Sequence, residues 1–124
     1  MRSPRVAFVI FDGFQTLDLA GPHEVFQRAG GYSCAIVAPR RGLIRADSGL
    51  PIHAEHGVDT LSPHGVDTLV VAGGSGVDEA RHDPRLTGWI TDAAARARRA
   101  TSVCSGALLL PETGLLDGHR VTTH

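Results

Sequence analysis

The chain has 124 residues, 42% of them hydrophobic, which is long enough for one core and too short for two ordinary domains. Its 13 acidic and 12 basic residues nearly balance, so the composition gives no reason to expect a nucleic acid or an anionic membrane as a direct partner. All basic residues are Arg, and the lack of Lys excludes Schiff-base chemistry and a Walker-type phosphate lysine.

No apolar run approaches the roughly 20 residues that span a bilayer, and the N-terminus lacks the hydrophobic segment of a signal peptide. The sequence therefore predicts a cytoplasmic protein with no membrane association. Two cysteines, Cys34 and Cys104, are too few for a disulfide framework and are not spaced as a CxxC site. We expect both to be reduced thiols.

Short extended runs predict the strands of a parallel sheet, and the apolar runs at 6–11 and 68–72 are expected to be buried in it, the first of them on both faces. They cover residues 6–11, 32–38, 68–72 and 100–103, with a short extended piece at 50–53 and one more strand starting within 120–123.

Helices are predicted between these strands, from Thr16 to residue 29, over 84–99 and over 105–116. Thr16 is the expected N-cap of the first helix, which Pro22 should kink. Strands that alternate with helices predict right-handed βαβ units, and hence an α/β fold with helices on both sides of a mainly parallel sheet.

A six-residue sequence, His-Gly-Val-Asp-Thr-Leu, occurs twice, at residues 56–61 and 64–69. Its period of eight is far shorter than any solenoid unit. We interpret the first copy as a duplication that lengthens the loop before a core strand.

Three turns lie where parallel strands end, the edge at which open α/β sheets bind ligands. They are residues 12–18, 73–76 and 104–106. In the last, Cys104 stands between a strand and a helix, as in the G-x-S-x-G elbow, with Ser102 in place of the first Gly. The helix N-terminus should favour a thiolate there. A small buried core residue is the alternative.

Gly74 follows the strand that should lie beside Cys104, so its N–H and that of Ser105 could form a two-donor oxyanion hole. A dinucleotide-binding loop is a competing interpretation, but Glu79 stands where that fingerprint needs Gly or Ala. A simple tight turn at Gly73 and Gly74 is a third.

Asp18 lies between Leu17 and Leu19, just after the first strand. A carboxyl group in this apolar setting could share a proton with a nearby thiol, or it could merely favour the helix dipole. The seven histidines show no compact ligand spacing, so neither a metal nor any other cofactor is expected.

Taken in order, several motifs together resemble the DJ-1/PfpI superfamily over nearly the whole chain. The closest similarity is to the class I glutamine amidotransferase-like N-terminal domain of AraC-type transcription regulators. The motifs are residues 12–22, Gly73-Gly74, residues 102–106, and residues 114–118 followed by 121–124.

The resemblance implies a flavodoxin-like three-layer α/β sandwich, usually a homodimer, with Cys104 and Asp18 at the positions of the elbow cysteine and its acidic partner. It places Gly74 and Ser105 at the oxyanion-hole positions, beside Gly73. In isonitrile hydratases, a sister branch, the matching acid and cysteine are catalytic. In the regulators the same pocket is thought to sense a small molecule, and a helix-turn-helix domain that would bind DNA follows.

The sequence departs from the family pattern at three points. Ser105 replaces the usual Thr, and Pro111 should kink the elbow helix. The chain also stops at His124, so we expect one domain over 1–124 whose C-terminal part is missing, with an uncovered sheet edge. His124 could approach the thiol but would be a poorly placed base.

Three functions remain open from the sequence. The favoured one is a small-molecule-sensing, non-catalytic domain of an AraC-type regulator. The main rival is a cysteine-dependent hydratase or amidase-like hydrolase that uses Cys104 and Asp18. The third is a degenerate fragment with neither activity nor ligand.

Overall fold

A five-stranded parallel sheet organises the part of the chain that the computed structural model describes, residues 3–110. The strands are β1 (Arg5–Val9), β2 (Ser33–Ala38), β3 (Gly42–Arg45), β4 (Pro51–Ala54), β5 (His56–Gly57), β6 (Thr68–Val71) and β7 (Arg99–Ser102). The parallel sheet has the strand order β5-β2-β1-β6-β7, and β3 and β4 pair as a separate antiparallel hairpin. The predicted α/β fold with a mainly parallel sheet is confirmed.

Helices connect β1 to β2 and β6 to β7. They are α1 (Thr16–Ala29), α2 (Val77–Ala80) and α3 (Pro84–Arg96), with 3₁₀ turns at Pro63–Gly65 and Cys104–Leu109. From β1 the chain moves to β2 through α1, and from β6 it moves the opposite way to β7 through α3. Since such crossovers are right-handed, α1 and α3 cover opposite faces of the sheet.

The two central strands form the core. All four residues of β6 and four of the five residues of β1 are buried, as their apolar runs predicted. Ile10 and Phe11 are also buried, although β1 ends at Val9. In contrast, β7 has three exposed residues and one half-buried residue within the described part of the chain.

Helix α1 begins differently from the prediction. Gln15 is the N-cap, with no side-chain capping bond, and Thr16 is already helical. The Gln15 N–H donates instead to the Gly73 carbonyl at 2.8 Å, so the helix start is fixed by the loop after β6. Pro22 lies inside a helix that continues to Ala29.

The β3–β4 hairpin was missed, apart from the extended piece at 50–53. Its tip is joined to the loop after β1, since the Gly13 N–H donates to the Arg45 carbonyl at 2.7 Å and the Asp47 N–H to the Phe14 carbonyl at 2.8 Å. Only Ile44 and Ala54 of its strands are buried. A short, mostly exposed pair therefore carries little hydrophobic pattern.

The repeated hexapeptide adopts two structures. The first copy is more than a loop, which corrects the expectation, because its His56–Gly57 pairs as β5 with the end of β2. Leu61 then turns back, and its carbonyl accepts a hydrogen bond from the Trp89 indole at 2.8 Å. In the second copy, Thr68 and Leu69 begin β6.

Among the helices of residues 3–110, none has the length and apolar character to cross a bilayer. The segment after β7 is a 3₁₀ turn from Cys104 to Leu109, where an α-helix was predicted. The remainder of that predicted helix, Pro111, the strand within 120–123 and His124 lie outside the described residues.

Candidate functional site

Cys104 occupies a sharp turn between β7 and the 3₁₀ segment that follows. Its φ of 51° is in the left-handed region, and no other described residue except glycines has a positive φ. For a residue other than glycine this backbone conformation is unfavourable by about 1–2 kcal/mol, so surrounding contacts must stabilise it. Gly106 provides one of them, through its N–H, which donates to the Val103 carbonyl at 2.9 Å.

Asp18 meets this turn from the first turn of α1. Its side chain is 3% exposed, and Asp18 and Thr68 are the buried polar residues of the described chain. The Gly73 N–H donates to its Oδ2 at 2.9 Å, and the Cys104 Sγ–H donates to its Oδ1 at 3.3 Å. The structure therefore brings together two side chains that are 86 positions apart.

The Asp18 carboxylate raises the pKa of the Cys104 thiol above its ordinary value of 9.0, first by accepting its hydrogen bond, with desolvation and like charge adding to the effect. The sequence predicted the opposite direction from the helix N-terminus. A six-residue 3₁₀ segment has only a small dipole, whereas the Asp18 carboxyl oxygen lies at hydrogen-bond distance from the sulfur.

Gly73, Gly74 and Ser105 also converge here. The Gly74 N–H donates to Ser105 Oγ at 3.0 Å, so this N–H already has an intramolecular acceptor. The oxyanion hole expected from the Gly74 and Ser105 N–H groups stays a prediction. Gly73 permits the close approach, because a Cβ on it would lie 2.6 Å from the Ser105 nitrogen.

The dinucleotide-loop interpretation does not fit the geometry. The loops after β1 and β6 pack backbone against backbone, with the Gly76 N–H donating to the Gly13 carbonyl at 3.0 Å. A Cβ on Gly76 would collide with the Asp12 carbonyl. The crevice between β1 and β6, where doubly wound folds hold a nucleotide, is filled by the chain itself.

Two positioning residues were not foreseen. Gln15 holds the Gly73 carbonyl through its N–H, and Asp47 accepts the Ser75 N–H at 3.4 Å. Both line a cleft of about 660 Å³ between the start of α1 and the hairpin tip. Asp47 lies in an exposed turn, and nothing in its local sequence marks this role.

Within residues 3–110 no three His, Cys, Asp or Glu side chains are grouped closely enough to hold a metal ion. Neither Cys34 nor Cys104 forms a disulfide. Burial raises the pKa of the Cys34 thiol on β2.

The chain is similar to known proteins over most of its length. An uncharacterised protein of Streptomyces lividans is 39% identical over 97% of the chain and 86% of its own length. An isonitrile hydratase of Pseudomonas putida is 32% identical over 97% of the chain. An HTH-type transcriptional regulator of Mycobacterium tuberculosis is 49% identical over 47 residues, which are 38% of the chain and 18% of the regulator.

A crystal structure of a ThiJ/PfpI family protein from Pseudomonas syringae superimposes on the whole chain with a TM-score of 0.92 and 34% identity. The chain spans about half the length of this protein and of the hydratase, at 51% and 52%. The family model for DJ-1/PfpI matches residues 4–124, and the chain therefore belongs to the DJ-1/PfpI family.

Proposed function

We propose that this chain is a small-molecule-sensing domain of an AraC-type transcriptional regulator, with Cys104 and Asp18 at the ligand site. The hydrogen bond from Cys104 Sγ to the buried Asp18 carboxylate, at 3.3 Å, carries the proposal. A buried carboxylate that raises the pKa of a thiol makes a polar recognition pair with it and opposes formation of the thiolate nucleophile.

The similarity to an HTH-type regulator supports this proposal, because 47 residues at 49% identity join this family to a protein whose name states transcriptional control. In this proposal DNA is bound by a separate helix-turn-helix domain, and the chain works as a cytoplasmic homodimer. The nearly balanced charge of residues 1–124 is consistent with a domain that leaves DNA to another segment.

A hydratase is the second candidate, favoured by a different observation. The isonitrile hydratase of Pseudomonas putida is similar over almost the whole chain, including the segments of Asp18 and Cys104. In that case Cys104 and Asp18 would manage proton transfer as water adds across the isonitrile carbon to give an N-substituted formamide. The raised thiol pKa would then have to fall when substrate binds.

Thermal-shift screening of a library of uncharged small molecules tests the sensing proposal. Compounds that stabilise the wild type should lose their effect in Cys104→Ser and in Asp18→Asn, and keep it in the matched variant Cys34→Ser. Hits that survive both site substitutions would overturn the assigned pocket.

An alkyl isonitrile separates the two functions. The sensing proposal expects no formamide from the wild type above the level of Cys104→Ser. Formamide production that requires both Cys104 and Asp18 would replace it with the hydratase.

A further inference from the structure

A cleft of about 490 Å³ lies at the amino end of the parallel sheet, beside the first residues of β1 and β2. Its lining residues are Ser3, Arg5, Ser33 and Gly65. The Cys104 turn comes after the last residue of β7, so the candidate site lies at the carboxyl ends of the strands. The cleft is therefore a separate place on the molecule, at the opposite edge of the sheet.

The polar side chains of the cleft come from neighbouring strands in register. Arg5 and Ser33 are Cα partners in the parallel pair of β1 and β2, and partner residues project to the same face of a sheet. Ser3 lines the same cleft from the segment that leads into β1. One guanidinium group and two hydroxyl groups are thus gathered in one concave place.

The Arg5 side chain has no partner of its own within residues 3–110. It is half-buried, and it takes part in none of the ion pairs or side-chain hydrogen bonds of the described chain. The neighbouring arginines differ, since Arg98 Nε pairs with Asp67 at 3.2 Å and Arg99 Nε donates to Thr68 Oγ1 at 3.2 Å. The Arg5 guanidinium therefore keeps all its N–H donors available for a bound group.

The edge around the cleft is positively charged. The first residues of β1, β2, β6 and β7, together with the residue directly before each, include three arginines and one carboxylate, that of Asp67. Because Arg98 already pairs with Asp67, the charges of Arg5 and Arg99 are in excess there. A guanidinium fork on a positive surface suits an oxyanion. A phosphate group offers three acceptor oxygens, enough for the guanidinium and both hydroxyls at once, whereas a carboxylate offers two.

We propose that this cleft binds a phosphate group carried by a small molecule, with the Arg5 guanidinium as the main donor and the Ser3 and Ser33 hydroxyls as further donors. The volume of about 490 Å³ falls within the roughly 300–1,000 Å³ of small-molecule sites, which favours a small ligand over a DNA duplex. The inference goes beyond the proposed function, because none of these residues belongs to the site of Cys104 and Asp18.

Titration of the ¹⁵N-labelled chain with sodium pyrophosphate, with ionic strength held constant by sodium chloride, tests this site. The backbone amide signals of Ser3, Arg5, Ser33 and Gly65 should shift and saturate. Arg5→Gln should weaken binding about tenfold or more, because it removes the charge-assisted hydrogen bonds to the phosphate oxygens. Arg85→Gln is the matched control. It removes the same charge from an exposed arginine of α3 that has no ion pair in the described chain, so it should bind as the wild type does.

A second pair of variants tests the position of the ligand. Ser33→Asp places a carboxylate beside Arg5, its Cα partner, and should abolish the saturable shifts by pairing with the guanidinium. Ser33→Asn has nearly the same shape without the charge and should still bind. Ser33 is exposed, so both variants should keep the fold, and circular dichroism checks this.

Shifts that do not saturate, equal weakening by Arg5→Gln and Arg85→Gln, or wild-type binding by Ser33→Asp would overturn the phosphate site. Tighter binding of a polyglutamate peptide or of a short DNA duplex would overturn the small molecule in favour of an acidic protein or a nucleic acid. Cys104→Ser should bind pyrophosphate as the wild type does. Failure of the sensing proposal and failure of this site are therefore distinguishable.

Discussion

At the level of single residues, the candidate site depends on one hydrogen bond, from the Cys104 thiol to the buried Asp18 carboxylate. The run 102–106 predicted a sharp bend at Cys104, and the positive φ is there. The meeting of Cys104 with Asp18, 86 positions earlier, was implied by family resemblance and by no local pattern. The direction of the thiol pKa depends on which atom faces the sulfur, and only the structure supplies that.

Asp18→Asn should lower the pKa of the Cys104 thiol. The wild-type carboxylate raises that pKa above 9.0, so the thiolate forms only at alkaline pH, and removing the charge lets it form at lower pH. The pH profile of iodoacetamide labelling, measured in a Cys34→Ser background, reports the midpoint. Asp47→Asn is the control, since this carboxylate bonds the Ser75 N–H, and its midpoint should match the wild type. An unchanged midpoint in Asp18→Asn would contradict the assigned cause.

At the level of secondary structure, the strands with strongly buried residues were predicted from the sequence. The strands that depend on contacts with distant segments were not. The apolar runs of β1 and β6 correctly predicted buried strands. β3, β5 and the pairing of β4 were not predicted, because two to four mostly exposed residues carry no periodic signal and are held by pairing with other segments. The repeated hexapeptide shows that context decides the structure of such a short segment. Its first copy forms an edge strand and a turn at 56–61, whereas the end of its second copy enters the central sheet at residue 68.

The two equivalent leucines of that repeat, Leu61 and Leu69, should contribute differently to the free energy of unfolding. Leu69 is completely buried in β6, so Leu69→Ala should lower the free energy of unfolding by about 3–4 kcal/mol through lost burial and a cavity. Leu61 is 7% exposed and bonds Trp89 through its main-chain carbonyl, which alanine keeps, so Leu61→Ala should cost about 2 kcal/mol. Urea unfolding of both variants measures the difference. Equal losses would show that the two copies share one environment.

At the scale of the whole molecule, the interlocked loops explain where the site lies. A doubly wound sheet usually offers its crevice where the strand order reverses, here between β1 and β6. Glycine-rich loops fill that crevice. The candidate site of Cys104 and Asp18 lies one strand further along the sheet, at the end of β7. The fold class was predictable from alternating strands and helices, but the filled crevice was not, because glycine-rich turns look alike in sequence whether they hold a ligand or another loop.

Gly76→Ala should therefore destabilise the entire fold. Its Cβ would collide with the Asp12 carbonyl, so the loops after β1 and β6 must separate, at a cost of about 2–3 kcal/mol. Gly65→Ala is the matched control, since no heavy atom lies within 4 Å of its added Cβ, and it should change stability by less than about 1 kcal/mol. Urea unfolding compares the two.

Because the loop after β6 also carries Gly73, which donates to Asp18, the labelling midpoint of Cys104 should shift in Gly76→Ala and stay constant in Gly65→Ala. Wild-type stability in Gly76→Ala would mean that the loops are not in contact and that the crevice is open to a ligand.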